Sequence, residues 1–231
     1  IGASIQRSLG FPTMRIGAPF CVLAAALKPT PLLATSLLPL SPSPSAALEA
    51  YLKAPNTGAD DGFGSAVALD GDTLIVGASR EGSCSTTPVS TTAAIDNGCR
   101  RAGAAYVYER MGGTWLFAAY LKAPNAGQDD DFGASVALDG DTLIVGARRE
   151  GSCSTTPVST TASSDNGCSS AGAVYVYVRV GGAWQFQAYL KAPNTGRYDY
   201  FGASVALDGD TLIVGARWES SCSTTPVSTT A

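Results

Sequence analysis

From Leu48 onward, apolar and polar positions fall into two patterns that take turns along the chain. Ser135-Val136-Ala137-Leu138 and Thr142-Leu143-Ile144-Val145 flank Asp139-Gly140-Asp141. Asp-Gly between two apolar runs predicts a tight hairpin of the I′ kind, with positive φ at both central positions. The second run is apolar almost throughout, which predicts a strand covered on both faces. Further on, Ala173 to Val180 and Ala183 to Lys191 flank Gly181-Gly182 and predict a second hairpin. In its later strand Trp184, Phe186, Ala188 and Leu190 alternate with Gln185, Gln187, Tyr189 and Lys191, the pattern of an outer strand dry on one face and wet on the other.

The unit repeats. Tyr51-Leu52-Lys53-Ala54-Pro55-Asn56 returns at Tyr120 and again at Tyr189, each time 69 residues later, and Phe63-Gly64 returns at Phe132-Gly133 and Phe201-Gly202 with the same step. A unit repeated at fixed length buries its apolar faces against copies of itself, so the fold is an array or a closed ring. Two hairpins per unit without a helical stretch make a four-stranded antiparallel meander, the content of one β-propeller blade. An immunoglobulin-like sandwich needs about seven strands per domain, and a β-solenoid turn is far shorter than this repeat. The expected fold is therefore all-β, a propeller of four-stranded blades with about two and a half of them in this sequence.

Phe132-Gly133-Ala134-Ser135-Val136-Ala137-Leu138, then Gly140-Asp141-Thr142-Leu143-Ile144-Val145-Gly146-Ala147, then Gly172-Ala173-Val174-Tyr175-Val176-Tyr177 resemble the FG-GAP repeat of integrin α heads and of many surface proteins. The resemblance covers residues 48–231 and implies a propeller, often seven-bladed, that displays ligand-binding loops outside the cell. Calcium-binding blades of that family carry an Asp-x-Asp-x-Asp-Gly loop between their first two strands. Here that connection has shrunk to Asp70-Gly71-Asp72, Asp139-Gly140-Asp141 and Asp208-Gly209-Asp210, too few oxygens for the six to eight ligands calcium prefers. No metal site is therefore assigned, and calcium is left to blades outside this sequence. In the other acidic loop only Asp61, Asp130 and Asp199, each two positions before a Phe, persist from copy to copy. Asp side chains satisfy local backbone donors in turns, and that role is preferred for these three over metal ligation.

Between the two hairpins lies an insertion with Cys84-Ser85-Thr86-Thr87-Pro88-Val89-Ser90-Thr91-Thr92, closing at Asn97-Gly98-Cys99. Cys153 and Cys168 repeat the pair. Disulfides Cys84–Cys99 and Cys153–Cys168 are expected, because the surrounding Ser/Thr-rich loop is too polar for buried thiols and one spaced pair without histidine offers no zinc site. Cys222 is the first member of a third pair whose partner would follow Ala231. The Ser/Thr tract has the composition of an O-glycosylated or flexible segment. As the one addition to an otherwise bare blade, this loop is the candidate contact surface.

Residues 1–47 differ in kind, being rich in Ala, Leu, Pro and Ser. Met14-Arg15, the apolar runs Phe20 to Leu27 and Leu32 to Leu40, and Ser45-Ala46-Ala47 have the order of a secretory signal. Neither run approaches the roughly 20 apolar residues of a membrane span, and Cys21 is given no role. A net charge of −4 without a long Lys/Arg run speaks against nucleic acid. The absence of histidine removes the usual general base. The expectation is a secreted or cell-surface recognition or adhesion module with a protein or glycan ligand, no cofactor and no enzymatic activity. Two alternatives stay open: a propeller hydrolase or lyase whose catalytic residues lie in other blades, and a structural wall repeat.

Overall fold

The computed structural model describes residues 22–24 and 48–219. Every element in it is a strand. The first blade contains β3 (Phe63–Asp70), β4 (Thr73–Ala78), β5 (Val89–Ser90), β6 (Ala104–Met111) and β7 (Thr114–Leu121). The second repeats it with β8 (Phe132–Asp139), β9 (Thr142–Ala147), β10 (Val158–Ser159), β11 (Ala173–Val180) and β12 (Ala183–Leu190), and β13 (Phe201–Asp208) with β14 (Thr211–Ala216) forms the inner hairpin of a third. Each complete blade is an antiparallel sheet in the order β3-β4-β6-β7-β5 or β8-β9-β11-β12-β10. The four-stranded meander is present as expected, and the cysteine loop adds a fifth, two-residue strand beyond it. A short strand β1 (Val22–Ala24) pairs antiparallel with β2 (Ala50–Leu52). The rest of the 1–47 leader, with Met14 and Cys21, lies outside the described residues, as does Cys222.

In the first blade the continuous apolar run is buried as predicted: all six residues of β4 are buried, with Ile75 and Val76 at 0% exposure. Both hairpin turns differ from one another. Gly112 and Gly113 have φ of +58° and +83°, so both central positions are left-handed, as I′ geometry requires. In the Asp-Gly turn Asp70 pairs with Thr73, which makes Gly71-Asp72 the two-residue loop, and only Gly71 has positive φ (+54°). That places glycine at the first central position, the II′ arrangement rather than the expected I′.

The outer strand corrects the predicted alternation. Val176 pairs with Ala188 and Tyr177 with Phe186, so Gln187 is an extra residue and the strand changes phase there. A bulge moves every later side chain to the opposite face. Trp184 points into the core, but so do Tyr189 (1% exposed) and Lys191 (2%), which the uninterrupted pattern had left wet. The same bulge falls at Ala118 in the first blade and buries Tyr120 and Lys122.

Blades are joined by backbone in close approach. Gly133 (φ +86°) lies against Gly77, and a Cβ built on Gly77 would overlap the Gly133 carbonyl. The Ser65 hydroxyl donates to that same carbonyl at 3.1 Å, and Ser135 donates to the Gly202 carbonyl at 2.7 Å. Phe132, fully buried, packs edge-on against Tyr175 at 5.2 Å between ring centroids. The Phe-Gly and Val-Gly-Ala signatures are thus two sides of one interblade contact: the ring fills the core, and the glycines let two backbones meet.

Candidate functional site

The meander gives each blade two ends. The Asp-Gly and Gly-Gly turns lie at one end. The cysteine loop, between the second and third strands, and the Lys-Ala-Pro-Asn linker, between blades, lie at the other. At the Asp-Gly end the carboxylates of the two complete blades are engaged in structure. Asp70 accepts a hydrogen bond from the Gly140 amide of the next blade at 2.7 Å, and Asp139 repeats this with the Gly209 amide. Asp72 and Asp141 accept from Arg110 and Arg179 at 2.7 and 2.6 Å, and these guanidiniums stack over Trp115 and Trp184. Hydrogen bonding to Asp72 is the main reason the Arg110 guanidinium holds its proton more tightly than usual. A cavity of about 320 Å³ between these turns is walled by the same paired groups.

The cysteine loop is built from a buried root to an exposed tip. At the root Lys122 Nζ donates to Glu81 Oε2 (3.1 Å), to the Ser83 carbonyl (2.9 Å) and to the Gly103 carbonyl (2.6 Å). Glu81 also accepts from Ser83 and Asn56, and the Ser83 and Tyr120 hydroxyls are 2.7 Å apart. Burial pushes the Lys122 ammonium below its ordinary value, and the Glu81 charge opposes the shift. Lys191, Glu150, Ser152 and Tyr189 repeat the cluster. The Lys122 ammonium finds three acceptors and the Lys191 ammonium two, a carboxylate among them in each case, which is what burial of an ammonium demands.

Above the root, disulfides Cys84–Cys99 and Cys153–Cys168 close the loop, each across 15 residues. The Cys84 and Cys153 amides donate to Asp96 and Asp165. Val89-Ser90 and Val158-Ser159 then pair with the ends of β7 and β12. The loop therefore covers part of the outer edge of its own blade, where unpaired backbone would otherwise invite another strand. Between these anchors Thr86, Thr87, Thr91 and Thr92 stay exposed, and Ser90 and Thr92 bond each other.

The remaining predicted positions fall at the linker. Asp61, Asp130 and Asp199 are buried, and each accepts a hydrogen bond from the glycine amide three residues before it: Gly58 at 2.7 Å, Gly127 at 2.7 Å and Gly196 at 2.6 Å. Burial raises the Asp130 carboxyl to about 7, against the Gly127 hydrogen bond and with Glu150 adding to the rise. Phe201 and Gly202 take the interblade positions described for Phe132 and Gly133, while Phe63, beside Gly64, packs on Tyr106 and Tyr108 of its own blade.

Sequence reasoning missed a cluster at the first junction on this end. Asp131, its side chain fully buried, is approached by Arg101 (2.9 Å), Arg148 (3.0 Å) and Arg149 (3.4 Å), and Arg100 grips Asp129 at 3.0 Å. Three separate segments supply these residues. The available signal was departure from the repeat: Ser169, Ser170, Tyr198 and Tyr200 stand at the corresponding places one unit later.

Among the described residues no three His, Cys, Asp or Glu side chains are grouped to hold a metal. At the first two Asp-Gly turns, where calcium-binding blades of the resembling family carry their ligands, Asp70, Asp72, Asp139 and Asp141 already serve backbone amides and guanidiniums, and the donor set does not fit calcium. No helix among the described residues is long and apolar enough to cross a membrane.

Stacked antiparallel meanders with loops gathered at one end define a β-propeller repeat protein. The FG-GAP repeat family model matches residues 47–108, 115–177 and 184–225, and the chain belongs to that family. No curated protein matches the chain.

Proposed function

We propose that this chain is an extracellular recognition or adhesion module that presents disulfide-stapled loops from one end of a propeller and catalyses no reaction. The observation that carries the reading is the construction of the loop: a buried Lys-Glu root, a disulfide and a paired edge segment hold an exposed Ser/Thr tip in a fixed place. Binding residues are commonly loops on a rigid scaffold, and a pre-ordered loop loses less entropy on meeting a partner. Two disulfides support an oxidising compartment. The non-catalytic part is supported by the buried ion pair of Lys122 with Glu81, which is mutually satisfied and repeated in the next blade. A reaction centre needs a group free to act on substrate.

The test replaces Ser85–Thr87 and Thr91–Thr92, and likewise Ser154–Thr156 and Thr160–Thr161, by Gly and Ser at equal length, keeping all four cysteines and the paired Pro-Val-Ser segments. Capture of the chain on intact cells and on extracellular matrix is expected to fall at least tenfold with the melting temperature little changed. Unchanged capture would show that the stapled tips are not the contact surface.

A further inference from the structure

The two blade junctions on the cysteine-loop end share one backbone and differ in chemistry. At the first, the amides of Asp129 and Asp131 bond the carbonyls of Arg100 and Arg101, and Arg149 bonds Asp130. At the second, Tyr198 and Tyr200 bond Ser169 and Ser170, and Trp218 bonds Asp199, in the same pattern. Even the left-handed residues coincide: φ is 65° at Asp129 and 66° at Tyr198, 57° at Asp131 and 55° at Tyr200. Copies that keep every backbone contact while exchanging the side chains differ in what they present outward.

The first junction presents positive charge. Four guanidiniums face two carboxylates there, in a chain whose net charge is −4. The neighbouring Asp130 carboxyl is taken by the Gly127 amide. Arg149 Nε is buried without a hydrogen bond, while Arg100 is 70% exposed. The second junction presents rings. Tyr198 is 54% exposed and Trp218 60%, and Tyr200 meets Trp218 edge-on at 5.4 Å. At the position of Trp218, Arg80 is exposed in the first blade and Arg149 half-buried in the second. The Arg217 guanidinium lies over the Trp218 ring, and neither Arg197 nor Arg217 forms an ion pair with a described residue.

We infer that the cysteine-loop end binds an acidic polysaccharide, with the Arg100–Arg101–Arg148–Arg149 junction taking its carboxylate or sulfate groups and the Tyr198–Trp218 junction stacking on its sugar rings. Guanidiniums pair bidentately with planar or tetrahedral oxyanions. Flat C–H faces of sugars pack on exposed aromatic rings, which are amphipathic surfaces suited to half-wet contacts. An acidic protein would match the charge but usually adds an apolar buried centre. A polymer with charge and ring face in every unit matches both junctions at once. The inference rests on the recognition reading only in requiring this end to be open, since it uses junction residues and not the stapled tips.

The test measures binding of the whole chain to immobilised dextran sulfate, polygalacturonate, neutral dextran and poly-glutamate at physiological salt. Binding to either acidic polysaccharide, with neutral dextran and poly-glutamate at least tenfold weaker, is expected. Trp218→Ala and Arg100→Ala are each expected to weaken it about tenfold, the loss of one good contact. Both side chains are exposed, so melting temperature checks that the fold is kept; Arg148→Lys and Arg149→Lys keep the charge beside buried Asp131 and are expected to weaken binding less. Poly-glutamate binding as tightly as the polysaccharides, or an unchanged affinity in Trp218→Ala, would overturn the inference in favour of a charge-only or protein partner. No binding to any polymer would overturn it as well. The Gly-Ser loop replacement separates the readings, because it is expected to leave polysaccharide binding intact even where capture on cells falls.

Discussion

The two ends of this molecule use the same residue types to opposite purpose. At the Asp-Gly end, Asp70 and Asp139 bond the next blade, Asp72 and Asp141 hold an arginine, and the arrangement is the same in successive blades. At the cysteine-loop end, Asp129 and Asp131 with their arginines in one junction become Tyr198 and Tyr200 in the next. An interaction that closes the array must recur with the array, since every blade needs it. An interaction that varies while the backbone stays fixed is released from that requirement. The contrast separates the end that holds the propeller together from the end that addresses the outside.

The sharpest way to break the contrast is at the root of the cysteine loop, where recurrence and burial coincide on the variable end. Lys122→Met leaves the Glu81 carboxylate without its cation in a site that is 1% exposed. Removing one partner of a buried pair costs about 3–5 kcal/mol, so urea unfolding is expected to shift by that much. The double change Glu81→Gln with Lys122→Met is expected to recover most of the loss, because the uncompensated charge is then gone. A double variant no better than the single would mean that the ammonium's bonds to the Ser83 and Gly103 carbonyls, not the ion pair, fix the loop.

The staple comes next in size. Cys84→Ala with Cys99→Ala opens a loop of 15 residues, worth about 3 kcal/mol in the loop-entropy account. Calorimetry is expected to show that loss. Hydrogen exchange is expected to rise first at Val89 and Ser90, whose pairing with Leu121 and Tyr120 depends on the loop lying flat. Stability lost without faster exchange there would place the effect in the unfolded chain alone.

These two devices were unequally legible in the sequence. The cysteine pair stood out because spacing and polarity recur on a scale that can be read directly. The lysine did not, because strict alternation through Trp184 and Phe186 carries Lys191 to the wet face, and only the bulge at Gln187 turns it inward. A bulge is a single extra residue with no composition of its own, so period-two reasoning passes over it. The repeat, the strands and the interblade glycines were readable because each copy confirmed the others. The arginine junction was not, because Arg100–Arg101, Asp129–Asp131 and Arg148–Arg149 meet only in space, and the repeat itself drew attention to what the copies share.

A comparable effect belongs to Asp130, and its sign is fixed by the direction of the shift. The folded carboxyl keeps its proton up to about 7, whereas the reference value is 3.8. Between those values the folded state binds more protons than the unfolded, so this stabilising contribution is whole below the lower value and lost as pH rises through the upper one. The window corresponds to about 2–4 kcal/mol. Asp130→Asn keeps an oxygen for the Gly127 amide and removes the titration. Compared with the variant, the native chain is expected to lose about that much stability between pH 4 and pH 8. Parallel pH profiles for the two proteins would mean that the buried carboxyl is ionised throughout, held by neighbours such as Lys122.

The smallest effect is expected at the Asp-Gly end, and its smallness is what the contrast requires. Asp72 is recurrent and ion-paired to Arg110 at 2.7 Å, yet its side chain is 70% exposed. Solvent-screened pairs contribute about 0–1 kcal/mol, so Asp72→Asn is expected to move the unfolding midpoint by less than that. Arg110→Ala is expected to cost somewhat more, because the guanidinium also covers the Trp115 ring at 5.3 Å and bonds Glu49 at 3.0 Å. Neither change is expected to alter capture on cells or polysaccharide, since Asp72 and Arg110 already answer each other and Glu49 within the array. A capture defect in Asp72→Asn with unchanged melting would reverse the assignment of the two ends, moving recognition to the repeated turns and leaving the varied junctions without a role.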